Sequence, residues 1–147
     1  MLIRSIALAI LASLVVPEYT AAQSAADSAA IRATAMDYMQ GWYTGDTLRM
    51  GRALHPELAK RIVNTDSTGA SRLSNMGAER LIEGTRRGFG KETPENQRQA
   101  DPVILDIFGN TASVRATMHN WIDYMHMARW NGRWVIVNVL WEMKSGG

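Results

Sequence analysis

Residues 121–143 read WIDYMHMARWNGRWVIVNVLWEM, two runs rich in β-branched and aromatic residues on either side of Asn131-Gly132. Asn-Gly is the strongest short signal for a two-residue hairpin turn, because both residues tolerate a positive φ angle. The stretch therefore predicts an antiparallel hairpin with strands at 121–130 and 133–143. In this hairpin Trp130 pairs with Arg133, and the outer pairs follow by counting.

An unbroken register decides which side chains share a face of this hairpin. It places Asp123 opposite Leu140 and Met125 opposite Asn138, so that the acid, the amide, Met125 and Met127 lie on one face. We expect helices to cover that face. The other face is also apolar, and a monomer seldom exposes a large apolar patch, so we expect a second copy of the chain to cover it. The residues expected at this homodimer interface are Tyr124, His126, Val135, Val137, Val139 and Trp141.

The rest of the chain divides into helices first and strands last. An apolar stripe at helical spacing predicts a helix over 24–43; its members are Ile31, Ala35, Tyr38 and Trp42. Gly45 suits the cap of this helix, and Asp46 suits the N-cap of a second, short helix that Pro56 ends. The remaining predicted segments are a strand at 58–63, a turn-rich loop or hairpin tip at 65–74, a third helix at 78–87, an exposed linker at 88–99, and strands at 102–108 and 111–118. This order predicts an α+β fold with the helices packed against a bent antiparallel sheet.

Composition restricts the class of protein. The chain has 147 residues, of which 46% are hydrophobic and 20% charged, as expected for one globular domain. Its formal charge is +2 and its longest basic run is Arg86-Arg87, so nucleic acid is not an expected partner. Cysteine is absent, which excludes disulfides and thiolate sites. We expect no cofactor and no metal, because strand alternation turns His126 away from Met125 and Met127 and the three cannot converge on one ion.

The first residues have the features of an export signal. Arg4 precedes an apolar run at 6–16, and Pro17 and small residues up to Ala22 follow. A membrane-spanning helix needs about 20 apolar residues, so a cleaved signal is favoured over a retained anchor. We therefore expect a signal peptide at 1–22, a single mature domain at 23–147, a periplasmic or secreted protein, and no stable membrane insertion after cleavage.

Asp123 is the main candidate for a catalytic or ligand-binding residue. A carboxyl group in apolar surroundings is expected to have a raised pKa. Such a group can act as a general acid or base, or can hold a polar ligand atom. A purely structural acid, hydrogen-bonded to Asn138 or to a helix terminus, is the alternative. His55 lies at a predicted helix end, where it either caps the last carbonyl groups or joins the pocket.

Three stretches resemble one known superfamily. They are YMQGWYTGD at 38–46, RALHPEL at 52–58 and the hairpin at 121–144. They are similar to the nuclear-transport-factor-two-like superfamily, and within it to the bacterial "putative lumazine-binding" group related to SnoaL-like proteins. The resemblance implies a cone-shaped α+β barrel: three N-terminal helices packed in the concave face of a curved, mostly antiparallel sheet, a cavity at its mouth, and dimerisation through the convex face.

The resemblance also implies a site. Asp123 and Asn138 would point into the cavity, with Tyr38, Trp42 and His55 near its mouth. Enzymes of the superfamily such as ketosteroid isomerase and scytalone dehydratase use a buried acid with a tyrosine or histidine partner. The full predicted set of ligand-binding residues is Tyr38, Trp42, His55, Asp123, Met125, Met127 and Asn138.

Three functions remain open at this point. The first is an exported protein that binds a small, partly apolar molecule in its cavity. The second is an acid–base enzyme, an isomerase, dehydratase or hydrolase, using Asp123 with Tyr38 or His55 as its partner. It requires a hydroxyl or imidazole within about 3 Å of the carboxyl group, directly or through one water. The third is a non-catalytic interaction domain whose cavity is filled by its own side chains. Because fold does not fix function, only the geometry of the site can separate them.

Overall fold

The computed structural model describes the backbone of residues 17–144 and the side chains of residues 25–144. The apolar run at 6–16, predicted to belong to a signal peptide, lies outside the described residues. No helix in the described part of the chain combines the length and the apolar character needed to cross a membrane.

Three helices pack on a six-stranded sheet. The helices are α1 (Pro17–Thr44), α2 (Thr47–Ala53) and α3 (Ala78–Arg86). The strands are β1 (Leu54–Thr65), β2 (Ser71–Met76), β3 (Asp101–Phe108), β4 (Thr111–Thr117), β5 (Trp121–Trp130) and β6 (Arg133–Met143). Their order across the sheet is β2-β1-β6-β5-β4-β3, and every neighbouring pair is antiparallel except β1 and β6. The sheet is curved and not closed, and the predicted α+β class is confirmed.

The junction between the first two helices forms as predicted. Gly45 has a φ of 71°, and the Asp46 carboxylate accepts hydrogen bonds from the backbone N–H groups of Leu48 and Arg49, both at 3.0 Å. The prediction that Pro56 ends α2 is wrong, since the helix stops at Ala53. Pro56 instead lies in β1, between the paired positions 54 and 59 where the ladder to β6 is irregular and the missing N–H group is tolerated.

Two segments differ from the prediction in detail. The loop predicted at 65–74 is shorter, because residues 71–76 form β2 and pair with β1. The linker predicted at 88–99 contains two short 3₁₀ segments, Phe89–Glu92 and Glu95–Gln97. The strands of the predicted meander form an antiparallel series from β3 to β6.

The hairpin turn at Asn131-Gly132 forms as predicted, with positive φ angles of 48° and 78°. The pairs nearest the turn also agree with the prediction: Trp130 with Arg133, Arg129 with Trp134, Ala128 with Val135, and Met127 with Ile136. Beyond them the register shifts, because β6 carries one extra residue, Val137, that has no partner on β5. This β-bulge turns every later side chain of β6 to the opposite face.

The bulge overturns the predicted placement of Asn138. Asp123 pairs with Trp141 rather than with Leu140, and Asn138 pairs with His126 rather than with Met125. Asn138 therefore lies on the face that carries no helices, hereafter the outer face, and its Nδ2 is 3.2 Å from the His126 Nδ1. The prediction that the acid and this amide share a face is wrong.

The same shift changes the predicted homodimer surface. Val139 is fully buried in the core, and Trp141 packs against that core on the helix-covered inner face. These two residues are thus not on the surface where the unbroken register placed them. Tyr124 and Leu140, in contrast, stand on the outer face and are 48% and 51% exposed.

The core lies between α1 and the inner face of the sheet. It is built by apolar side chains at alternate strand positions and on one stripe of the helix, including Ile31, Ala35, Met39, Val114, Met118, Met125, Met127 and Ile136. Burying one such large side chain contributes about 1.5–3 kcal/mol, so this cluster fixes how α1 lies across the sheet. The orientation of α1 in turn decides where Tyr38 and Trp42 meet the strands.

Candidate functional site

A buried ion pair lies at the end of β5 that is farthest from the Asn131-Gly132 turn. Asp123 of β5 is 0% exposed, and Lys60 of β1 is 5% exposed. The Lys60 ammonium group contacts the Asp123 Oδ1 directly. Both residues flank β6, where Lys60 pairs with Val139 and Asp123 pairs with Trp141. The bulge in β6 therefore determines which β6 residue pairs with Lys60 and which pairs with Asp123.

Two further donors complete a network around the acid. The Tyr38 hydroxyl of α1 donates to the Asp123 Oδ2 at 2.9 Å, and the Trp121 Nε1 donates to the same oxygen at 2.9 Å. Lys60 Nζ also donates to the Tyr38 oxygen at 2.8 Å. The carboxylate thus accepts from three donors, which is the arrangement that makes a buried charge tolerable.

Burial perturbs the titration of the two partners of the acid. It lowers the pKa of Lys60 from the usual 10.5, although the Asp123 carboxylate opposes the shift by attraction and hydrogen bonding. It raises the pKa of Tyr38 well above the usual 10.0, and the negative charge of Asp123 raises it further. Tyr38 therefore remains a hydrogen-bond donor at neutral pH.

A cavity of about 200 Å³ adjoins Lys60. Its lining is mainly aromatic and apolar: Tyr38, Trp42, Lys60, Met76, Leu81, Asn120, Trp121, Trp141 and Met143. The rings of Trp42 and Trp121 meet edge to face at a centroid distance of 6.0 Å, and those of Trp121 and Trp141 are 6.3 Å apart. We call this space the tryptophan cavity.

Lys60 is the only charged residue that lines the tryptophan cavity among the described residues. A protonated lysine has three N–H donors, of which Asp123 and Tyr38 take two. The third has no acceptor within residues 25–144, and the Nζ atom lies 4.8 Å from the centroid of the Trp141 ring. Lys60 therefore keeps one N–H group for a further acceptor, on a side chain that lines an aromatic cavity. Nowhere in residues 25–144 do acidic and histidine side chains form a group able to hold a metal ion.

A glycine fixes the wall formed by Trp42. The Phe89–Glu92 segment crosses the end of α1 so closely that a Cβ on Gly90 would lie 2.1 Å from the Trp42 carbonyl oxygen. Any other residue at position 90 would push this segment away from the helix. The close approach is thus a local reason for the position of the tryptophan.

The structure brings together three of the predicted site residues, Tyr38, Trp42 and Asp123. It does not bring His55 to them. The His55 ring packs edge to face on Trp130 at 4.8 Å, near the hairpin turn, and its Nδ1 accepts from the Glu57 N–H at 3.1 Å. Because α2 already ends at Ala53, this histidine does not cap the helix. It is also not among the residues that line the tryptophan cavity.

Three other predicted residues also lie outside the cavity lining. Met125 and Met127 are each 1% exposed and pack in the core below the site. Asn138 lies on the outer face, where its Oδ1 accepts a hydrogen bond from Arg61 at 3.0 Å. The predicted surroundings of the acid were also incomplete, since three donors meet it and one of them is a lysine.

Sequence reasoning missed Lys60, which is the charged member of the cavity lining. One signal pointed to it: Leu58 and Lys60 are two positions apart in a predicted strand, so they share a face, and Leu58 is buried. The sequence did not show that β1 lies beside β6, because two parallel strands are not joined by a short turn that a sequence pattern can reveal.

Comparison with known proteins agrees with this fold. Residues 26–142 match the family described as "Putative lumazine-binding", and the chain belongs to that family. An NTF2-like protein of unknown function from Shewanella baltica is 18% identical, with a TM-score of 0.64 over 83% of this chain and 97% of that one. An NTF2-like protein with a cystatin-like fold from Novosphingobium aromaticivorans is 14% identical, with a TM-score of 0.63 over 88% and 89%.

A third solved structure, an NTF2-like protein of unknown function from Methylobacillus flagellatus, is 21% identical and has a TM-score of 0.60 over 82% of this chain and 94% of that one. Comparison with the curated proteins finds no match. The predicted membership of the nuclear-transport-factor-two-like superfamily is confirmed. At these identities the similarity to solved structures establishes the fold and leaves the activity to the site.

Proposed function

We propose that this protein binds a small molecule in the tryptophan cavity and that Lys60 donates a hydrogen bond to it. The observation that carries the proposal is the third N–H group of Lys60, which has no acceptor in residues 25–144 and borders an aromatic space. A charged donor held by Asp123 and Tyr38 is preorganised, so a ligand does not have to order it.

The cavity defines a chemical class of ligand. Its volume of about 200 Å³ is below the ~300–1,000 Å³ typical of pockets for drug-sized ligands. It suits one or two fused planar rings, which the tryptophan side chains can contact by edge or face. The ring system needs a carbonyl or similar acceptor to meet the ammonium group. Lumazine, the compound in the family's description, is a planar bicyclic dione and has this chemistry.

Calorimetric titration with matched planar compounds tests the proposal. We expect lumazine and quinolin-2-one to bind, and naphthalene, which has no acceptor, to bind more weakly. In the double variant Lys60→Met/Asp123→Asn, which removes both charges, quinolin-2-one should lose about tenfold in affinity, since a charged hydrogen bond contributes about 1.5 kcal/mol or more.

The variant Lys91→Met is the control, because Lys91 is exposed and lies outside the tryptophan cavity. It should bind quinolin-2-one as the unmodified protein does. Absence of binding by every planar carbonyl compound, or an unchanged affinity in the double variant, would overturn the proposal.

An acid–base enzyme is the second candidate, because the Tyr38 hydroxyl lies 2.9 Å from Asp123 and meets the distance that this hypothesis required. The environment of Asp123 favours binding instead. The carboxylate is 0% exposed, accepts from three donors and does not line the cavity. A substrate would meet Lys60 first. Turnover that survives Lys60→Met/Asp123→Asn would contradict a role for this network in any reaction.

We also propose that the protein is a homodimer through the outer face of its sheet. Tyr124 and Leu140 pair across β5 and β6 on that face, and each is about half exposed. Exposed apolar side chains that lie side by side favour self-association. Sedimentation equilibrium should give a dimer for the unmodified chain and a monomer for Leu140→Arg. Leu48→Arg, on the opposite side in α2, should remain dimeric. A monomeric unmodified chain would contradict the proposal.

Export remains a proposal that rests on the pattern in residues 1–22. Mass spectrometry of the protein expressed with its complete N-terminus in a bacterium tests it. We expect a chain that begins near Gln23 and is recovered outside the cytoplasm. A full-length chain in the cytoplasmic fraction would contradict export.

A further inference from the structure

A second concavity adjoins the tryptophan cavity. This groove of about 400 Å³ runs between α3 and the Phe89–Glu92 segment. Its lining consists of Trp42, Met76, Arg80, Leu81, Glu83, Gly84, Arg87 and Phe89. Three of these residues, Trp42, Met76 and Leu81, also line the tryptophan cavity, so the two spaces are neighbours on either side of the same side chains. We call the second space the arginine groove.

The charges of the arginine groove do not cancel. The Glu83 carboxylate accepts from the Arg87 Nε at 2.9 Å and from Arg86, and the bond from Arg87 lowers the pKa of this carboxyl group. Arg80 has no hydrogen bond or ion pair with any residue in 25–144. Arg80 and Arg87 therefore both line the groove, and the exposed side chain of Arg80 has no partner in residues 25–144.

A glycine keeps the floor of the groove open. Gly84 is buried in α3, and a Cβ there would lie 3.4 Å from the Phe89 ring and 3.5 Å from the Trp42 ring. A larger side chain would fill the space between these two rings. Glycine weakens a helix interior relative to alanine, so α3 gives up stability at the position where a side chain would narrow the groove.

From these features we infer that the ligand has two parts: a planar ring system in the tryptophan cavity and an anionic group, a carboxylate or phosphate, in the arginine groove. The anionic group passes Trp42 and meets the guanidinium group of Arg80, which recognises paired oxygen atoms by two parallel N–H bonds. The inference rests on the proposed function and extends it to the charge and length of the ligand.

A matched series of carboxylic acids and the corresponding alcohols, each joined through methylene groups to a quinolin-2-one ring, tests the inference by isothermal titration calorimetry. The quinolin-2-one ring is common to both series, and only the terminal group and the number of methylene groups change. At one chain length, we expect the carboxylate to bind about fivefold more tightly than the alcohol. Added salt should reduce this advantage, because the groove is exposed.

Two variants separate the groove from the rest of the surface. Arg80→Gln should abolish the preference for the carboxylate and leave the affinity of the alcohol unchanged. Arg72→Gln, on the exposed strand β2, should keep the preference. Alcohols that bind with no preference for any carboxylate would overturn the inference and leave the proposed function standing. Absence of binding by both series would overturn both.

Discussion

At the scale of single residues, the buried ion pair of Lys60 and Asp123 is costly to form. Removing a lysine and an aspartate from water costs several kcal/mol per ion, and the attraction between them only offsets that cost when additional hydrogen bonds are present. Tyr38 and Trp121 supply two such bonds to Asp123. A buried ion pair is therefore weak evidence of net stabilisation, and the position of Lys60 in the cavity lining supports the proposed binding role.

Lys60→Met should destabilise the fold by about 3–5 kcal/mol, because it leaves the Asp123 carboxylate buried without its cation. Adding Asp123→Asn should recover part of this loss, since the amide oxygen still accepts from Tyr38 or Trp121. Urea denaturation of the two variants and the unmodified chain measures the difference. If the double variant were less stable than Lys60→Met by the full cost of a second lesion, the pair would not act as a unit.

Tyr38→Phe should reduce stability by about 1–3 kcal/mol at neutral pH, because it leaves one oxygen of a buried carboxylate with one donor fewer. The pKa of Tyr38 is raised on folding, so its contribution is complete below the unfolded value of 10.0 and decreases as the pH rises above it. The stability gap between the two proteins, measured by guanidinium unfolding, should thus be constant from neutral pH to about pH 9 and shrink above pH 10. A gap that widened there would contradict the direction of the shift.

At the scale of secondary-structure elements, one carboxylate connects the first two helices. Asp37 of α1 accepts from Arg52 at 2.7 Å and from Arg49 at 3.0 Å, both in α2. The hydrogen bond from Arg52 lowers the pKa of Asp37 most, burial opposes the shift, and Arg49 adds to the lowering. This contact holds α2 against α1.

Asp37→Asn should cost about 1 kcal/mol at pH 7, as expected for a partly exposed ionic network. Because the pKa is lowered on folding, the contribution is complete above the unfolded value of 3.8 and disappears as the pH falls through the folded value. Thermal unfolding should therefore show a lower Tm for the variant at pH 7 and nearly equal values at the lowest pH where both fold. A difference that persisted unchanged in acid would contradict the assignment.

The bulge at Val137 is the element-scale feature on which the site depends. Deleting Val137 removes the residue that has no partner on β5, so Ile136 and Asn138 become neighbours and every later pair can form as before. We expect a small loss of stability and a retained near-ultraviolet circular dichroism spectrum of the tryptophans. Deleting the half-exposed Leu140 is the contrasting variant: either Trp141 leaves the inner face or Asn138 is buried, so we expect a loss of several kcal/mol and a changed spectrum. A Val137 deletion that changes the spectrum as strongly as the Leu140 deletion would contradict the observed register.

Sequence reasoning reached the hairpin but not the bulge, and the reason is physical. Asn131-Gly132 has a backbone requirement that few residue pairs meet, so the turn and the nearest pairs could be predicted. Val137 makes no such requirement: it is an ordinary strand residue, and the extra position is fixed only by how β6 fits between β5 and β1. The error in register moved Asn138 into the predicted site and Trp141 out of it.

At the scale of the whole molecule, the site joins three elements that are distant in sequence. Tyr38 comes from α1, Lys60 from β1 and Asp123 from β5. The order of helices and strands predicted the α+β class, and the resemblance to a known superfamily placed Tyr38 and Trp42 near a cavity. The parallel contact of β1 with β6 requires long-range packing, so neither periodicity nor turn residues indicated that Lys60 would face Asp123.

The chain has only three lysines, Lys60, Lys91 and Lys144, so their Cε groups can be resolved by NMR after labelling with ¹³C-lysine. We predict that the Lys60 signal, assigned with the variants Lys91→Met and Lys144→Met, titrates below the usual lysine pKa of 10.5. We also predict that this signal alone shifts strongly when quinolin-2-one is added. Three signals that titrate alike, with no response of Lys60 to the ligand, would contradict a buried, ligand-facing lysine in the tryptophan cavity.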